Sequence, residues 1–270
     1  MAVSINFWSL IMVYGVLLIY YDKYAIRAIH EFKLLLDKLD CNYEITLVCN
    51  SPGLKNNLPQ NSNFKIVDGD NSSWEFSGWD RGIIKDDLHD NDVIIFANDT
   101  FCHHNYWGKY EKFLFEKQFA KLIKKNSSKP FSAISGNVDT FGENFSLEGC
   151  STSGWVSTYL FLVTATLLKQ LDNKVTTRKL INYDEINDDL IWDESISENL
   201  KKHINNWMFL NTDAQSGWYK KDDVDLIYKS KKIQSILNEK YLSASCNENG
   251  GIIYDVKDIN ILRKIRNFFR

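Results

Sequence analysis

An apolar run that ends abruptly in polar residues constrains the fold of this chain most. Residues 93–97 read Val-Ile-Ile-Phe-Ala, and Asn98, Asp99 and Thr100 follow at once. A β-branched run without alternation is typical of a parallel strand that is buried on both faces. Ligands bind outside the carboxyl ends of such strands in open α/β sheets, so Asn98 and Asp99 are candidate binding residues. Asn, Asp and Thr also begin helices, and an N-cap is the alternative interpretation.

Similar apolar segments alternate with helical patterns through the first half of the chain. We expect strands over residues 10–18, 43–49, 64–67, 93–97 and 131–134. We expect helices over residues 24–39, 79–88 and 106–123. This alternation predicts the α/β class, with a mostly parallel sheet and helices on both of its faces. No G-x-G-x-x-G segment follows the first strand, so a Rossmann dinucleotide site is not predicted.

The second half of the chain is less regular. Residues 154–161 read as a strand that leads into an apolar helix over 162–171. Further helices are expected over 194–207, 222–239 and 258–270, with a short strand over 252–256. The last of these helices interleaves basic and large apolar residues, which is typical of a helix that lies on a membrane surface. A helix docked on the domain with a solvated basic face is the alternative.

Charge and cysteine content exclude some classes of function. The chain has 32 basic and 35 acidic residues, and this balance does not favour a nucleic acid as the main partner. The five cysteines form no C-x-x-C pair, so a reducing compartment such as the cytoplasm is expected. The apolar stretch over 7–20 is about 14 residues long, shorter than the roughly 20 that span a bilayer. We interpret it as a buried first strand, with a membrane-associated segment as the alternative.

Polar side chains follow three neighbouring strands of the predicted sheet. Asn50 follows the second strand, Asp68 and Asp70 follow the third, and Asp99 follows the fourth. The carboxyl ends of parallel strands meet at one edge of a sheet, so these groups are expected to line one crevice. Asp68-Gly69-Asp70 is also a literal D-x-D, for which a plain turn is the alternative.

The residues that surround these strand ends resemble a known family. The order is Asn50-Ser51, then the segment 70–80 (Asp-Asn-Ser-Ser-Trp-Glu-Phe-Ser-Gly-Trp-Asp), then the strand that ends in Asn98-Asp99-Thr100. It resembles the GT-A-type glycosyltransferases of bacterial surface-polysaccharide assembly, especially the group related to rhamnan synthesis protein F. Those proteins show an N-x-G-x-D-F-G-A-like segment followed by a strand that ends in Asn-Asp-Ser. The resemblance covers roughly residues 10–200, and its literal D-x-D is reduced here to Asn-Asp-Thr.

The resemblance implies a nucleotide-diphosphate sugar as the donor substrate, lying across the strand ends. The donor-binding residues it implies are Asn50, Asp68, Asp70, Gly78, Trp79, Arg81, Asn98 and Asp99. Asp99 would hold a divalent cation, Mn or Mg, against the diphosphate. Adjacent His103 and His104 are further candidates, with His104 as the second metal ligand and loop packing as the alternative. Without a metal, Arg81, Lys85 or a helix N-terminus would stabilise the leaving diphosphate.

Acceptor binding and proton removal have their own candidates. The segment 148–159 is rich in hydroxyls and aromatics and suits a wall for a sugar acceptor, with a buried strand as the alternative. A sugar hydroxyl loses its proton as it attacks, which calls for a carboxylate base. Glu194, with Ser197 after it, matches a Glu-x-x-Ser that the family shows at a helix start. Asp193 and then Asp139 are the other candidates, and ordinary capping of that helix is the alternative.

These observations together predict a GT-A-like catalytic domain over 1–210 and a helical C-terminal extension over 211–270. The expected function is that of a cytoplasmic glycosyltransferase acting on a capsule or O-antigen glycan. Its expected partners are the nucleotide sugar and a lipid-linked glycan, with peripheral contact to the inner membrane through the last helix. The alternative is a non-catalytic GT-A-like subunit of a polysaccharide assembly complex.

Overall fold

A seven-stranded mixed sheet forms the centre of the protein. The computed structural model describes residues 11–58, 64–83, 88–209 and 224–259. The sheet is built from β1 (Met12–Ile19), β2 (Asn42–Cys49), β3 (Phe64–Asp68), β4 (Val93–Asn98), β5 (Ala133–Asp139), β8 (Trp155–Thr164) and β11 (Ile252–Asp255). Two small hairpins lie outside it and pair β6 (Phe145–Leu147) with β7 (Cys150–Thr152), and β9 (Ile181–Asp184) with β10 (Asp189–Trp192).

The strand order in the sheet is β11-β5-β8-β4-β1-β2-β3. All of its strands run parallel except β8, which is antiparallel to both β4 and β5. The chain proceeds from β1 to β3 in one direction and then returns to place β4 on the other side of β1. The order therefore reverses between β1 and β4, and a crevice opens outside their carboxyl ends, where α/β proteins bind ligands.

Helices cover both faces of the sheet. They are α1 (Asp22–Asp37), α2 (Trp74–Gly82), α3 (Lys109–Ser128), α4 (Ala165–Gln170), α5 (Glu198–Phe209) and α6 (Leu226–Glu248), with 3₁₀ turns over Leu54–Asn57 and Val256–Asp258. Strand β1 shows how the two cores form, because its side chains alternate between them. Leu17 packs in the cluster that contains Phe32 of α1, whereas Val16 packs in the cluster that contains Trp79 of α2.

The α/β class and the mostly parallel sheet are therefore confirmed. Four of the five strands expected in the first half occur within two residues of their predicted bounds, whereas the strand expected over 131–134 extends five residues further, to Asp139. The helix expected over 79–88 is wrong at its start, because α2 begins at Trp74 and ends at Gly82. Residues 84–87, which include Lys85, lie outside the described residues.

The C-terminal segment is more than a helical extension. Helix α6 packs against β7 and β8, and β11 pairs with β5 as the outer strand of the main sheet. The last expected helix, over 258–270, lies outside the described residues beyond Ile259. Each helix in the described ranges is too short or too polar to cross a bilayer.

Candidate functional site

Asp99 ties the carboxyl end of β4 to the carboxyl end of β1. Its Oδ2 accepts hydrogen bonds from the backbone nitrogens of Tyr20 (2.8 Å) and Tyr21 (2.6 Å), just before α1 begins. Asp99 is 1% exposed. Burial raises the pKa of Asp99 to about 6, although the two backbone hydrogen bonds act in the opposite direction. The carboxylate that was predicted to bind a ligand therefore has a structural role. It links the carboxyl ends of β1 and β4 through hydrogen bonds.

Asn98 stabilises the turn that leaves β4. Its Oδ1 accepts hydrogen bonds from the backbone nitrogen of Thr100 (3.2 Å) and from the Thr100 hydroxyl (2.7 Å). The next helix begins only at Lys109, so this arrangement caps a turn rather than a helix. The local capping chemistry of Asn and Thr explains these residues without a ligand.

The side chains expected to bind a metal ion, Asp99 and His104, are not arranged to coordinate one. His104 is exposed, and its Nε2 lies 3.3 Å from the Tyr24 hydroxyl. Asp99 is buried, with Oδ2 already bonded to two amides. Among the described residues, no group of three or more His, Cys, Asp or Glu side chains is arranged to hold a metal ion. We therefore assign no chemical step to a metal at this position.

Asn50 holds the loop between β3 and α2. Its Nδ2 donates to Asn71 Oδ1 (2.9 Å) and to the Trp74 carbonyl (3.1 Å), and its Oδ1 accepts from the Asn71 nitrogen (3.0 Å). A Cβ added to Gly69 would lie 2.3 Å from Asn50 Oδ1, so only glycine fits there. Trp74 has a φ of 54°, which is unusual for a bulky residue. Asn50 therefore holds Trp74, the first residue of α2, in a strained backbone conformation beside the crevice.

The acidic residues that follow β3 are paired at the surface. Asp68 lies 3.1 Å from Lys55 Nζ. Arg81 reaches Asp70 Oδ2 through Nε (3.1 Å) and Nη2 (3.0 Å). The backbone hydrogen bond from Ser72, joined by weaker ones, holds the pKa of Asp70 well below its usual range. Arg81 is thus engaged by Asp70 and is not presented to a diphosphate in this arrangement.

Gly78 and Trp79, two of the expected donor-binding residues, belong to the core of the domain. A Cβ on Gly78 would lie 2.4 Å from Leu18 Cδ1, which shows how closely α2 approaches β1. Trp79 is fully buried, and its Nε1 donates to the carbonyl of Ala97 (3.0 Å). Both residues hold α2 against the sheet and act on the crevice only indirectly.

Aromatic rings flank the crevice between β1 and β4. The ring centres of Tyr20 and Tyr21 lie 4.9 Å apart, and those of Tyr21 and Tyr24 lie 5.4 Å apart. His103 stacks on Tyr24 at 4.2 Å, and Lys23 Nζ lies 4.8 Å from the same ring. The tyrosines were not among the residues expected to bind a ligand. One sequence pattern could have identified them, because the Tyr20-Tyr21 pair directly follows an apolar strand.

A cavity of about 440 Å³ lies at the same edge of the sheet. The end of β5, the start of β8 and the helices α2, α5 and α6 contribute side chains to it. The lining residues are Glu75, Asn105, Asp139, Trp155, Ser157, Thr158, Tyr159, His203, Ile204, Trp207, Lys232, Ser235, Ile236, Glu239 and Lys240. Glu75 comes from the first turn of α2, and Asn105 comes from the segment between β4 and α3. The cavity therefore reaches the carboxyl end of β4.

Asp139 is the carboxylate at the end of β5 in this cavity. The Ser157 hydroxyl donates a short hydrogen bond to its Oδ2, and Asn137 Nδ2 lies 3.4 Å from its Oδ1. Neighbouring Trp155, Thr158 and other members of the expected acceptor wall also line the cavity. Asp139 thus combines a carboxylate, a positioning hydroxyl and aromatic neighbours in one enclosed space.

A buried ion pair forms another wall of the cavity. Lys240 Nζ lies 2.8 Å from Glu239 Oε1 and 3.6 Å from the centre of the Trp155 ring. Glu239 Oε2 accepts hydrogen bonds from the Thr158 nitrogen (2.9 Å) and from its hydroxyl (2.8 Å). The Glu239–Lys240 pair therefore links α6 to β8, and the Lys240 ammonium packs over the ring of Trp155.

Asp193 and Glu194, expected to supply the base, lie elsewhere. Asp193 is bonded to Arg178 Nη1 (2.6 Å) and accepts from the Ser195 nitrogen (2.9 Å), and Arg178 also contacts Glu148. Glu194 is exposed, and neither residue lines the cavity described above. Helix α5 begins only at Glu198, so Asp193 organises the turn that precedes the helix.

Comparison with known proteins adds no assignment to this geometry. No protein-family model matches the sequence, and no curated protein matches it at a significant level. The crevice and the cavity are therefore interpreted from their own chemistry.

Proposed function

We propose that this protein is a glycosyltransferase that moves a sugar from a nucleotide-diphosphate donor to a growing capsule or O-antigen glycan. One observation carries the proposal: Asp139, at the carboxyl end of β5, lies in an aromatic-lined cavity that Asn105, beyond the carboxyl end of β4, also lines. A mostly parallel sheet with its crevice at this position supports the resemblance to GT-A-type enzymes. A carboxylate beside aromatic rings suits a sugar hydroxyl and a sugar ring.

The donor nucleotide would lie in the crevice. Tyr20 and Tyr21 are 41% and 36% exposed, so both rings are accessible for stacking against a base. Lys23 lies at the crevice. Its ammonium group would stabilise the charge that develops on the departing diphosphate. Asp99 would keep the two tyrosines in place without touching the donor.

The acceptor sugar would lie in the cavity with one hydroxyl at Asp139. As that hydroxyl oxygen bonds to the anomeric carbon of the donor, its proton passes to Asp139. The bond from the anomeric carbon to the diphosphate breaks, and the electron pair leaves with the diphosphate. The Ser157 hydroxyl orients Asp139 through their short hydrogen bond.

One observation favours the alternative of a non-catalytic subunit. The carboxylate that the resemblance assigns to a metal is buried at 1% exposure and serves the backbone of Tyr20 and Tyr21. A protein that keeps the sheet and binds the sugar nucleotide without transferring the sugar would have this feature too.

The test combines donor binding with transfer. A panel of nucleotide sugars is screened by thermal shift, since a ligand that binds only the folded state raises Tm. Transfer is then measured with the stabilising donor and extracted glycan acceptors. We expect Asp139→Asn to slow transfer by about 10²-fold or more while the donor-induced Tm shift persists.

Matched variants separate the candidate bases. Asp40→Asn is the control, because Asp40 is exposed and its φ of 53° is one that asparagine tolerates. Asp193→Asn and Glu194→Gln should also retain transfer. Undiminished transfer by folded Asp139→Asn would remove Asp139 from the mechanism. A donor-dependent Tm shift with no transfer by the unmodified protein would support the non-catalytic alternative.

A further inference from the structure

The cavity at Asp139 carries charges of both signs, and they are largely balanced within the protein. Its acidic residues are Glu75, Asp139 and Glu239, and its lysines are Lys232 and Lys240. Glu75 accepts a hydrogen bond from Ser235 (3.2 Å), and Asp139 accepts one from Ser157. A ligand that enters this space therefore meets few charges that lack protein partners.

Lys240 is the cation that an acidic ligand would need, and it is already neutralised. Its side chain is only 4% exposed, and its ammonium is shared between Glu239 and the Trp155 ring. A carboxylate at Lys240 would compete with Glu239, whose side chain is 21% exposed and would lose its cation. Removing one partner of a partly buried pair is unfavourable.

His203 supplies no positive charge at neutral pH. It stacks on Phe141 with ring centres 4.4 Å apart and lies 5.8 Å from Trp155. Burial, with a smaller contribution from Lys240, lowers the pKa of His203 below its usual value of 6.5. The aromatic wall formed by Trp155, His203 and Trp207 is therefore uncharged apart from the lysine that Glu239 balances.

We propose that this cavity selects an uncharged sugar residue and rejects acidic sugars such as uronic acids. The inference rests on the proposed function, which places the acceptor in this cavity. Hydroxyl groups of a neutral ring would donate to Asp139, while its apolar face would pack against the aromatic wall. A sugar carboxylate would meet Asp139 and Glu75, while Lys240 is paired with Glu239 and Lys232 lies over the ring of Trp74.

The experiment measures binding of simple glycosides to the full chain. The probes are the methyl glycosides of glucose, galactose and mannose, the three matching uronic acids, and glucosamine as a cationic sugar. Ligand-observed NMR titrations at pH 7.5 give the relative dissociation constants. We expect at least one neutral glycoside to bind ten-fold or more tightly than its uronic acid.

Two variants test whether the Glu239–Lys240 pair sets this preference. Glu239→Gln leaves Lys240 without its anion, so we expect the uronic acid to gain at least five-fold in affinity relative to the neutral sugar. The double variant Glu239→Gln with Lys240→Met removes both charges and should retain the neutral preference. This second variant also covers the case in which the single variant fails to fold, because it leaves no buried charge unpaired.

Each outcome bears on a separate claim. Equal or tighter binding of uronic acids by the unmodified protein would overturn the inference, and so would binding of glucosamine alone or of no glycoside. A neutral preference that the double variant loses would contradict the role of the ion pair. Failure of sugar transfer, with the neutral preference intact, would contradict the proposed function and leave this inference standing.

Discussion

The Asp99 carboxylate and the backbone nitrogen of Tyr21 lie 2.6 Å apart, although 78 positions separate them in the sequence. This hydrogen bond and its partner from Tyr20 lock the carboxyl ends of β4 and β1 together. The two hydrogen bonds continue the parallel pairing of β1 and β4 beyond Leu18 and Asn98, where the ladder ends.

Asp99→Ala should destabilise the fold more than Asp99→Asn does. Alanine leaves two partly buried N–H groups without an acceptor, at a cost of about 1–3 kcal/mol in total. Asparagine keeps an oxygen that both amides can reach. Urea unfolding of the three proteins measures their free energies of unfolding. Similar losses for both variants would contradict a stabilising role of the two hydrogen bonds to Asp99.

The pH dependence of stability should change in Asp99→Asn. The folded-state pKa of Asp99 is about 6, above its ordinary value of 3.8, so the folded state holds the proton more tightly. The stability that this proton contributes is complete below pH 4 and is lost as the pH rises through 6. The shift corresponds to about 3 kcal/mol, since one pKa unit is about 1.4 kcal/mol.

The measurement compares two proteins at each pH, because other carboxylates also titrate. Their pKa values are lowered in the folded state, so they make stability rise with pH. The free energy of unfolding of the unmodified protein minus that of Asp99→Asn should fall between pH 4 and pH 6.5. A flat or rising difference over this range would show that Asp99 is ionised throughout.

Asn50→Ala should loosen the loop that leads into α2. The change removes three hydrogen bonds that hold Asn71 and Trp74, and Trp74 keeps its unusual backbone only while they are present. We expect a loss of about 2–4 kcal/mol in the free energy of unfolding. Asn42→Ala, at the exposed start of β2, is the control and should change stability little. Faster protease cleavage within 69–74 would locate the effect.

Gly78→Ala should destabilise the protein, although alanine is the better helix former. The added methyl would lie 2.4 Å from Leu18 Cδ1, and overpacking of a core typically costs about 1–3 kcal/mol. Propensity would instead stabilise the helix by up to about 1 kcal/mol. Combining Gly78→Ala with Leu18→Ala removes the clash, so the double variant should be more stable than additivity predicts. Simple additivity would show that Leu18 is not the obstacle.

The sequence was most informative where one local pattern decides the structure. The run Val93–Ala97 allows little besides a buried strand, and it forms one. The start of α2 could not be predicted, because Trp74 begins the helix with a backbone conformation that Asn50 imposes from another strand. Asp99 was correctly expected at a strand end, but its partners are the distant backbone nitrogens of Tyr20 and Tyr21, which no local pattern reveals.

The cavity was only partly predictable for the same reason. Trp155 and Ser157 stood out as hydroxyl and aromatic residues within one segment, and both line it. Its other wall comes from α6, where Glu239 and Lys240 look like surface charges of an amphipathic helix. Their burial depends on the packing of α6 over β8, about 80 residues away in the chain, as the hydrogen bond from Thr158 to Glu239 shows. Asp139 was considered, but spacing alone did not rank it above Asp193 and Glu194.

The place of β5 in the sheet has a consequence for synthesis on the ribosome. Both of its neighbours, β8 and β11, come later in the chain than β5 itself. Strands β1 to β4 can pair with one another once they have emerged. Strand β5 cannot pair in the sheet until β8 and β11 have been translated. A nascent chain therefore carries unpaired strand edges until β11 emerges, and such edges favour aggregation. Chaperone capture of nascent chains should consequently fall off only after residue 255 has left the exit tunnel.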